Sequence, residues 1–213
     1  MAIDLSELVQ PAHTVLITQE CQQGIIGNQS LLPAMAEAAG KEMIPNIARL
    51  ATAARQVGVR VIHCIAVQRL DGYGRNTNAR LFQATKKSGP RMLLGSEAVQ
   101  VLPEIGTAES DVVISRMHGL SPFHGTELDS ILRNAGVRTL VVTGVSVNVA
   151  IVNLTFDAVN AAYQVVIPRD AVAGVPREYV DAVFANTLGA VATLTTTPEL
   201  LACWEAAGPR GES

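Results

Sequence analysis

Residues 139–150 read TLVVTGVSVNVA, an apolar run that passes through one glycine into a second, largely apolar segment. An uninterrupted run rich in valine is typical of a parallel strand that is covered on both faces. The following segment, Val147–Tyr163, is apolar or small on most sides and is predicted to be the most buried helix. A strand that turns at once into such a helix indicates an α/β architecture.

The same alternation of apolar runs and helical patterns continues in both directions along the chain. Proline at the start and glycine at the end of several segments mark helix boundaries. This repetition implies right-handed crossovers and a three-layer, doubly wound α/β sheet of about six mostly parallel strands. We predict strands at Thr14–Gln19, Val59–Ala66, Asp111–Ser115, Thr139–Thr143, Gln164–Pro168 and Val191–Thr196. We predict the other helices at Ile44–Val57, Thr126–Ala135, Pro176–Leu188 and Pro198–Ala207.

The length of the chain, 213 residues, suits one domain with a full hydrophobic core, so we predict a single domain over 1–213. Within it, residues 1–12 are expected to form an N-terminal arm and residues 208–213 a tail. Residues 67–97 are less regular and long for a connection, and long ordered loops are often functional.

Composition narrows the partners that the chain is expected to have. Charged residues make up only 16% of it, against roughly 25% in a typical soluble domain, so we expect hidden surface in a homodimer or homotetramer. The net charge of −3 is not gathered into basic patches, and no segment resembles a membrane helix, so we expect neither nucleic acid nor membrane as a partner. Cys21, Cys64 and Cys203 form an odd, sparse set typical of reduced thiols, and the N-terminus lacks a secretory pattern; together these favour a cytoplasmic location.

Polar groups follow four of the predicted strands at their carboxyl ends. Glu20 and Gln22 follow the first strand, Gln68 the second and Arg116 the third. The turn Gly144–Ala150 follows the fourth strand and begins the buried helix. Ligands of open parallel sheets bind at this edge, where the strand order reverses, and helix N-termini favour anions and developing oxyanions. The sequence therefore predicts a ligand site formed by an acid, a cation and a helix N-terminus.

Three short motifs stand at or near this edge. They are Glu20-Cys21-Gln22, Ser121-Pro122-Phe123-His124-Gly125-Thr126-Glu127-Leu128, and Gly144-Val145-Ser146-Val147-Asn148-Val149-Ala150. Together they resemble the motifs of the isochorismatase-like, or cysteine hydrolase, family over nearly the whole chain, which implies that family's doubly wound fold. The chain departs from the family pattern at three positions. Glu20 replaces the usual aspartate, Arg116 takes the lysine position with one extra residue of spacing, and Ala150 takes the position of the cysteine nucleophile.

The resemblance implies two possible activities. In cysteine members the acid takes the thiol proton and the cysteine attacks an amide carbonyl, a route that Ala150 excludes because a thiolate is the nucleophile. In isochorismatases proper, an acid protonates the substrate and water completes the hydrolysis. A buried Glu20 suits that role if burial raises its pKa, which Arg116 opposes.

Our first hypothesis is a hydrolase of a small carboxylate-bearing or amide-like molecule. Glu20 would be its general acid/base, Arg116 its substrate anchor, and a water near Ala150 would replace the thiol. The alternative is a catalytically silent family member that binds a small molecule or serves as an oligomeric partner. In that case Glu20 and Arg116 form a plain buried ion pair.

Further site residues follow from their places beside these groups. Gln22, Gln68, Phe123 and Ser146 are candidates for substrate binding, and the backbone N–H groups of Ser146 and Ala150 for an oxyanion hole. By resemblance, the peptide bond between Val145 and Ser146 is expected to be cis. We expect no cofactor and no metal, because His63 lacks the neighbouring aspartate and histidine of metal-binding nicotinamidases.

Overall fold

The computed structural model describes residues 4–30, 32–87 and 92–208. In this part of the chain seven strands form one sheet, and all the strand pairs are parallel. Across the sheet the order is β3-β2-β1-β4-β5-β7, with the short β6 paired to β4. The strands are β1 Thr14–Gln19, β2 Arg60–Ala66, β3 Val112–Arg116, β4 Thr139–Val145, β5 Gln164–Pro168, β6 Val172–Ala173 and β7 Thr193–Thr195.

The predicted α/β fold with a parallel, doubly wound sheet is confirmed. All six predicted strands are present, and β1 and β5 have the predicted bounds. The strand that was not predicted is β6, whose two residues are too few to show any periodicity. The chain leaves β1 towards β2 on one side and later places β4 on the other, so the order of strands reverses between β1 and β4.

Helices cover both faces of the sheet and form one core on each side. One core cluster contains side chains of α3, α4 and α10, and the other contains side chains of α6, α7 and α8. Helix α4 ends at Gly58, which adopts a left-handed conformation, and α10 begins with a capping box between Thr196 and Glu199. The helices are α1 Leu5–Leu8, α2 Gln23–Ile26, α3 Pro33–Lys41, α4 Met43–Val57, α5 Arg80–Lys87, α6 Leu128–Asn134, α7 Val152–Asn160, α8 Arg177–Val183, α9 Gly189–Val191 and α10 Thr197–Ala207.

Two of the predicted helices are interrupted by wide turns. The segment predicted as one helix over Val147–Tyr163 begins with a π-helical turn at Val147–Ile151 and continues as α7. Phe156 and Val159 on α7 are 41% and 36% exposed, so the segment predicted to be the most buried helix also has apolar side chains on its outer face. The predicted helix Pro176–Leu188 likewise consists of α8 and a second π-helical turn at Phe184–Leu188.

The termini and the long connection carry more structure than their sequences indicated. In the expected N-terminal arm, α1 precedes Val9, whose carbonyl oxygen accepts a hydrogen bond of 3.1 Å from Trp204 Nε1 on α10. The long connection contains α5, which begins at Arg80. Residues 1–3 of the arm, 88–91 of the connection and 209–213 of the tail lie outside the described residues.

A chain of polar side chains links β1 and β2 to Asp111, the residue before β3, and to Arg55 on α4. The hydroxyl of Thr18 lies 2.8 Å from His63 Nδ1, and His63 Nε2 lies 3.3 Å from Asp111 Oδ2. Asp111 also accepts a hydrogen bond of 2.7 Å from Arg55 Nη2. Burial lowers the pKa of His63 more than the neighbouring Asp111 raises it, so the imidazole is neutral in the folded chain.

This network predicts an acid-dependent loss of stability that belongs to His63. The unfolded chain binds a proton at His63 near pH 6.5 whereas the folded chain does not, so the stabilisation is complete above that pH and is lost as the pH falls. Between pH 7.5 and 5.5 the free energy of unfolding should fall by about 1 kcal/mol more in the wild type than in His63→Gln. Urea denaturation at both pH values measures this difference. The exposed His118→Gln variant should keep the wild-type dependence; equal losses in the wild type and His63→Gln would contradict the assignment.

Candidate functional site

A cavity of about 340 Å³ lies at the carboxyl ends of β1, β2, β3 and β4, where the strand order reverses. Five of the residues selected from the sequence line it: Glu20, Gln68, Arg116, Ser146 and Ala150. They come from four separate elements, and only the parallel arrangement of the strands brings them together.

Glu20 occupies the first position after β1 in an uncommon backbone conformation. Its φ is +53°, in the left-handed region that non-glycine residues rarely adopt. Its N–H donates a hydrogen bond of 2.8 Å to the carbonyl oxygen of Cys64 on β2, which holds this conformation in place. Residues held in this way cluster at functional sites.

Glu20 and Arg116 form a direct ion pair at the floor of the cavity. Arg116 Nη2 donates to Glu20 Oε1, and Gln19 Nε2 donates to the same oxygen at 3.2 Å. Arg116 Nη1 donates to the backbone carbonyl oxygens of His118, at 3.2 Å, and of Gly119. The side chains of Glu20 and Arg116 are 17% and 8% exposed. Arg116 therefore holds both the carboxylate and the loop that follows β3.

Burial raises the pKa of the Glu20 carboxyl above its ordinary value, although Arg116 and the Gln19 amide act in the opposite direction. The carboxyl group consequently keeps its proton to a higher pH than an exposed glutamate does. A carboxyl group with a raised pKa is a better proton acceptor than an ordinary glutamate carboxylate.

The thiols near the site do not replace a missing nucleophile. Burial raises the pKa of Cys64 to about 12, and it raises the pKa of Cys21 as well, with the Glu20 charge adding to the effect. Cys203 lies on α10, away from the cavity lining, and burial also raises its pKa. None of these three thiols is ionised near neutral pH, and the thiolate is the reactive form.

The turn after β4 supplies a further part of the cavity lining. Gly144 has a φ of +103°, and the peptide bond between Val145 and Ser146 is cis, as the family resemblance implied. The carbonyl oxygen of Ser146 accepts hydrogen bonds from the N–H groups of Val149, at 3.2 Å, and Ile151, at 3.0 Å, which close the π-helical turn. Among the described residues no hydrogen bond uses the N–H of Ser146, so its role as an oxyanion donor remains a prediction.

Two of the expected substrate-binding residues have structural roles instead. Gln22 is fully buried; its Nε2 donates to the carbonyl oxygen of Ala66 at 2.9 Å, and its Oε1 accepts from the N–H of Ala66 at 2.7 Å. Phe123 packs against Tyr163, with ring centroids 6.0 Å apart. As defined by the described residues, the cavity lining includes neither side chain, so we withdraw both from the binding set.

The cavity also contains residues that the sequence did not reveal. Met35, Met92 and Met117 line it from three different segments, and Asn148 lines it from the turn. Asn148 lies between two residues selected from the sequence, so its position was a usable signal. Met117 directly follows Arg116 and carried the same kind of signal, whereas Met35 and Met92 carried none, because their proximity to the site arises only in the folded chain.

The backbone at Gly144 lies very close to the backbone of Gln19 on β1. A Cβ atom at Gly144 would lie 2.2 Å from the carbonyl oxygen of Gln19, and its φ disfavours any L side chain. We expect Gly144→Ala to lower the free energy of unfolding by roughly 2–5 kcal/mol.

The matched control for this substitution is Gly136→Ala. Gly136 has a φ of +68° but no described atom within 4 Å of a built Cβ, so this substitution should lower the free energy of unfolding by only about 1 kcal/mol. Chemical denaturation measures both variants. Equal losses in the two variants would show that the contact with Gln19 is unimportant.

Within the described residues no group of three or more His, Cys, Asp or Glu side chains is placed to hold a metal ion. The same residues contain no helix of the length and apolarity needed to cross a bilayer.

A parallel α/β sheet with a cavity at the reversal of strand order is typical of enzymes that act on small molecules. A family model for the isochorismatase domain matches residues 14–199 of the chain. The protein therefore belongs to the isochorismatase family.

The curated relatives include an amidase and a probable inactive nicotinamidase. The chain is 29% identical over 130 residues to an N-carbamoylsarcosine amidase of Arthrobacter sp., a match that covers 61% of this chain and 49% of the amidase. It is 32% identical over 142 residues to a probable inactive nicotinamidase of Arabidopsis thaliana, covering 65% of this chain and 71% of that protein. The match thus spans about half the length of the amidase.

Solved structures of the family agree with the fold. A cysteine hydrolase from Pseudomonas syringae pv. phaseolicola 1448A superposes with a TM-score of 0.81 at 24% identity, covering 97% of this chain and all of that one. An isochorismatase family protein from Burkholderia thailandensis gives a TM-score of 0.75 at 25% identity, covering 91% of this chain and 96% of that one.

Proposed function

We propose that the protein is an isochorismatase-family hydrolase that uses water instead of a cysteine nucleophile, with Glu20 as the general acid/base. One observation carries this proposal. The carboxyl group of Glu20, whose pKa is raised by burial, borders a cavity that it shares with Ala150 and the turn Gly144–Ala150. A carboxyl group in that setting transfers protons, whereas the methyl group of Ala150 leaves room for a water molecule.

The reaction then needs no covalent intermediate. Glu20 accepts a proton from a water molecule, and the water oxygen forms a bond to the electrophilic carbon of the substrate. The proton passes from Glu20 to the leaving group as its bond to that carbon breaks. Backbone N–H groups of Ser146 and Ala150 would stabilise the negative charge that develops on oxygen.

Arg116 takes a different role from the substrate anchor expected from the sequence. Its Nη2 contacts Glu20, and its Nη1 contacts the backbone oxygens of His118 and Gly119. We propose that Arg116 positions the Glu20 carboxylate and that its positive charge limits the rise in the pKa of Glu20. The guanidinium itself does not exchange protons.

Replacement of Glu20 tests the mechanism. Glu20→Gln keeps the shape and the hydrogen-bonding capacity of the side chain but removes proton transfer, so hydrolysis should fall by about 100-fold or more. The measurement is product formation from isochorismate, nicotinamide and simple amides.

The exposed Glu178→Gln variant is the matched control and should retain wild-type rates. Turnover that survives Glu20→Gln unchanged would remove Glu20 from the mechanism.

The alternative function is a silent family member that binds a small molecule without turnover. It is supported by the direct contact between Glu20 and Arg116, which resembles a structural ion pair, and by the similarity to a probable inactive nicotinamidase. The two functions differ in one outcome: a silent member binds ligand in the cavity, but neither the wild type nor Glu20→Gln turns it over.

We also propose that the chain forms a homodimer or homotetramer. Only 16% of its residues are charged, and Phe156, Val159 and Tyr179 expose large apolar surfaces. Light scattering after gel filtration should give two or four times the mass of one chain, 22.5 kDa. A single-chain mass at micromolar concentration would contradict this proposal.

A further inference from the structure

We infer that the cavity selects an uncharged carbonyl compound with an apolar body, and that Asn148 orients the carbonyl oxygen of this ligand. The inference rests on the proposed function only in taking the cavity as the ligand site. It narrows the ligand to one chemical class and adds a specificity residue.

The walls of the cavity favour an apolar body. Met35 of α3, Met92 and Met117 line it together with Leu81 and Phe82 of α5. Three of the five methionines in the sequence thus meet at one cavity within the described part of the chain. Methionine is flexible and polarizable, so such a wall adapts to hydrocarbon groups of varied shape. A volume of about 340 Å³ suits a small ligand of this kind.

The ion pair between Glu20 and Arg116 disfavours an anionic ligand at Arg116. Arg116 already donates to Glu20, His118 and Gly119. A ligand carboxylate would have to displace Glu20 from Arg116 and leave the displaced charge buried without a partner. A second arginine of the lining, Arg75, also has an interaction partner.

Asn148 supplies a polar group to this apolar wall. Its Oδ1 is buried without a hydrogen-bond partner and lies close to Gly174, where an added Cβ would be 3.1 Å away from it. Asn148 belongs to the cavity lining while its Oδ1 is buried, and from these two observations we infer that Nδ2 is the polar atom of the side chain that faces the cavity. An amide N–H in apolar surroundings needs an acceptor, and an uncharged carbonyl oxygen provides one without bringing in a charge.

Two residues of the turn bring polar side chains to the cavity lining, Ser146 and Asn148. The backbone N–H of Ser146 belongs to the proposed oxyanion hole, and the amide of Asn148 adds a side-chain donor two residues further along the turn. Asn148 therefore determines which end of a ligand points towards the Glu20 side of the cavity.

The test uses two probes with the same phenyl body, 4-phenyl-2-butanone and 3-phenylpropanoate. The protein is labelled with ¹³C at its methionine methyl groups, and each probe is titrated while the methyl signals are recorded. We expect the ketone to shift the signals of Met35, Met92 and Met117. The signal of Met43, the first residue of α4, which is buried in the core, should remain in place. The carboxylate should bind at least about tenfold more weakly than the ketone.

Substitution of Asn148 tests its part directly. Asn148→Leu removes the donor, and Asn148→Asp replaces it with an acceptor in a side chain of the same shape. Each should weaken binding of the ketone by about three- to tenfold or more. The exposed Asn160→Leu on α7 is the matched control and should bind as the wild type does.

The outcomes separate this inference from the proposed function. Equal affinity for the carboxylate and the ketone, absence of methionine shifts, or unchanged ketone affinity in Asn148→Asp would each overturn the inference. Binding of the ketone as expected, without turnover of any substrate in the panel, would instead support the inference and count against the hydrolase.

Discussion

The site depends on the approach of β1 and β4 at Gln19 and Gly144, which is closer than any side chain at position 144 would permit. The two strands are also joined by a hydrogen bond of 2.8 Å from the hydroxyl of Thr143 to the carbonyl oxygen of Ile17. Because the strand order reverses here, the segments that follow β1 and β4 run to opposite sides. A hollow therefore forms between them at the carboxyl edge of the sheet. Glu20 emerges from one strand and the turn Gly144–Ala150 from the other, so both border that hollow.

Within the hollow, burial and charge pairing act on Glu20 in opposite directions. Burial disfavours the carboxylate, whereas the guanidinium of Arg116 favours it, and burial is the larger effect. Arg116 also ties down the loop after β3 through His118 and Gly119. A single residue thus moderates the acidity of Glu20 and shapes one wall of the cavity. In the proposed mechanism Glu20 carries the proton, and its partner Arg116 cannot itself take part in proton transfer.

Much of the fold followed from sequence patterns, and the misses have identifiable causes. Continuous apolar runs located β1, β4 and β5 because strands covered on both faces contain few polar residues. The outer face of α7 shows a limit of such patterns, because Phe156 and Val159 are apolar yet exposed, and apolarity alone does not say which side faces the core. The two π-helical turns share the local composition of α-helices, so the sequence held no signal for them.

The sequence by itself determined which chemical groups are available to the site. It holds an acid after the first strand, a cation after the third and an alanine at position 150. Only the tertiary structure decided how these groups act. Buried contacts occupy the side chains of Gln22 and Phe123, which do not belong to the described cavity lining. That lining instead includes Met35, Met92, Met117 and Asn148. The physical reason is that hydrophobic periodicity is a local property of the chain, whereas a cavity is bounded by residues that are distant in sequence and meet only through packing.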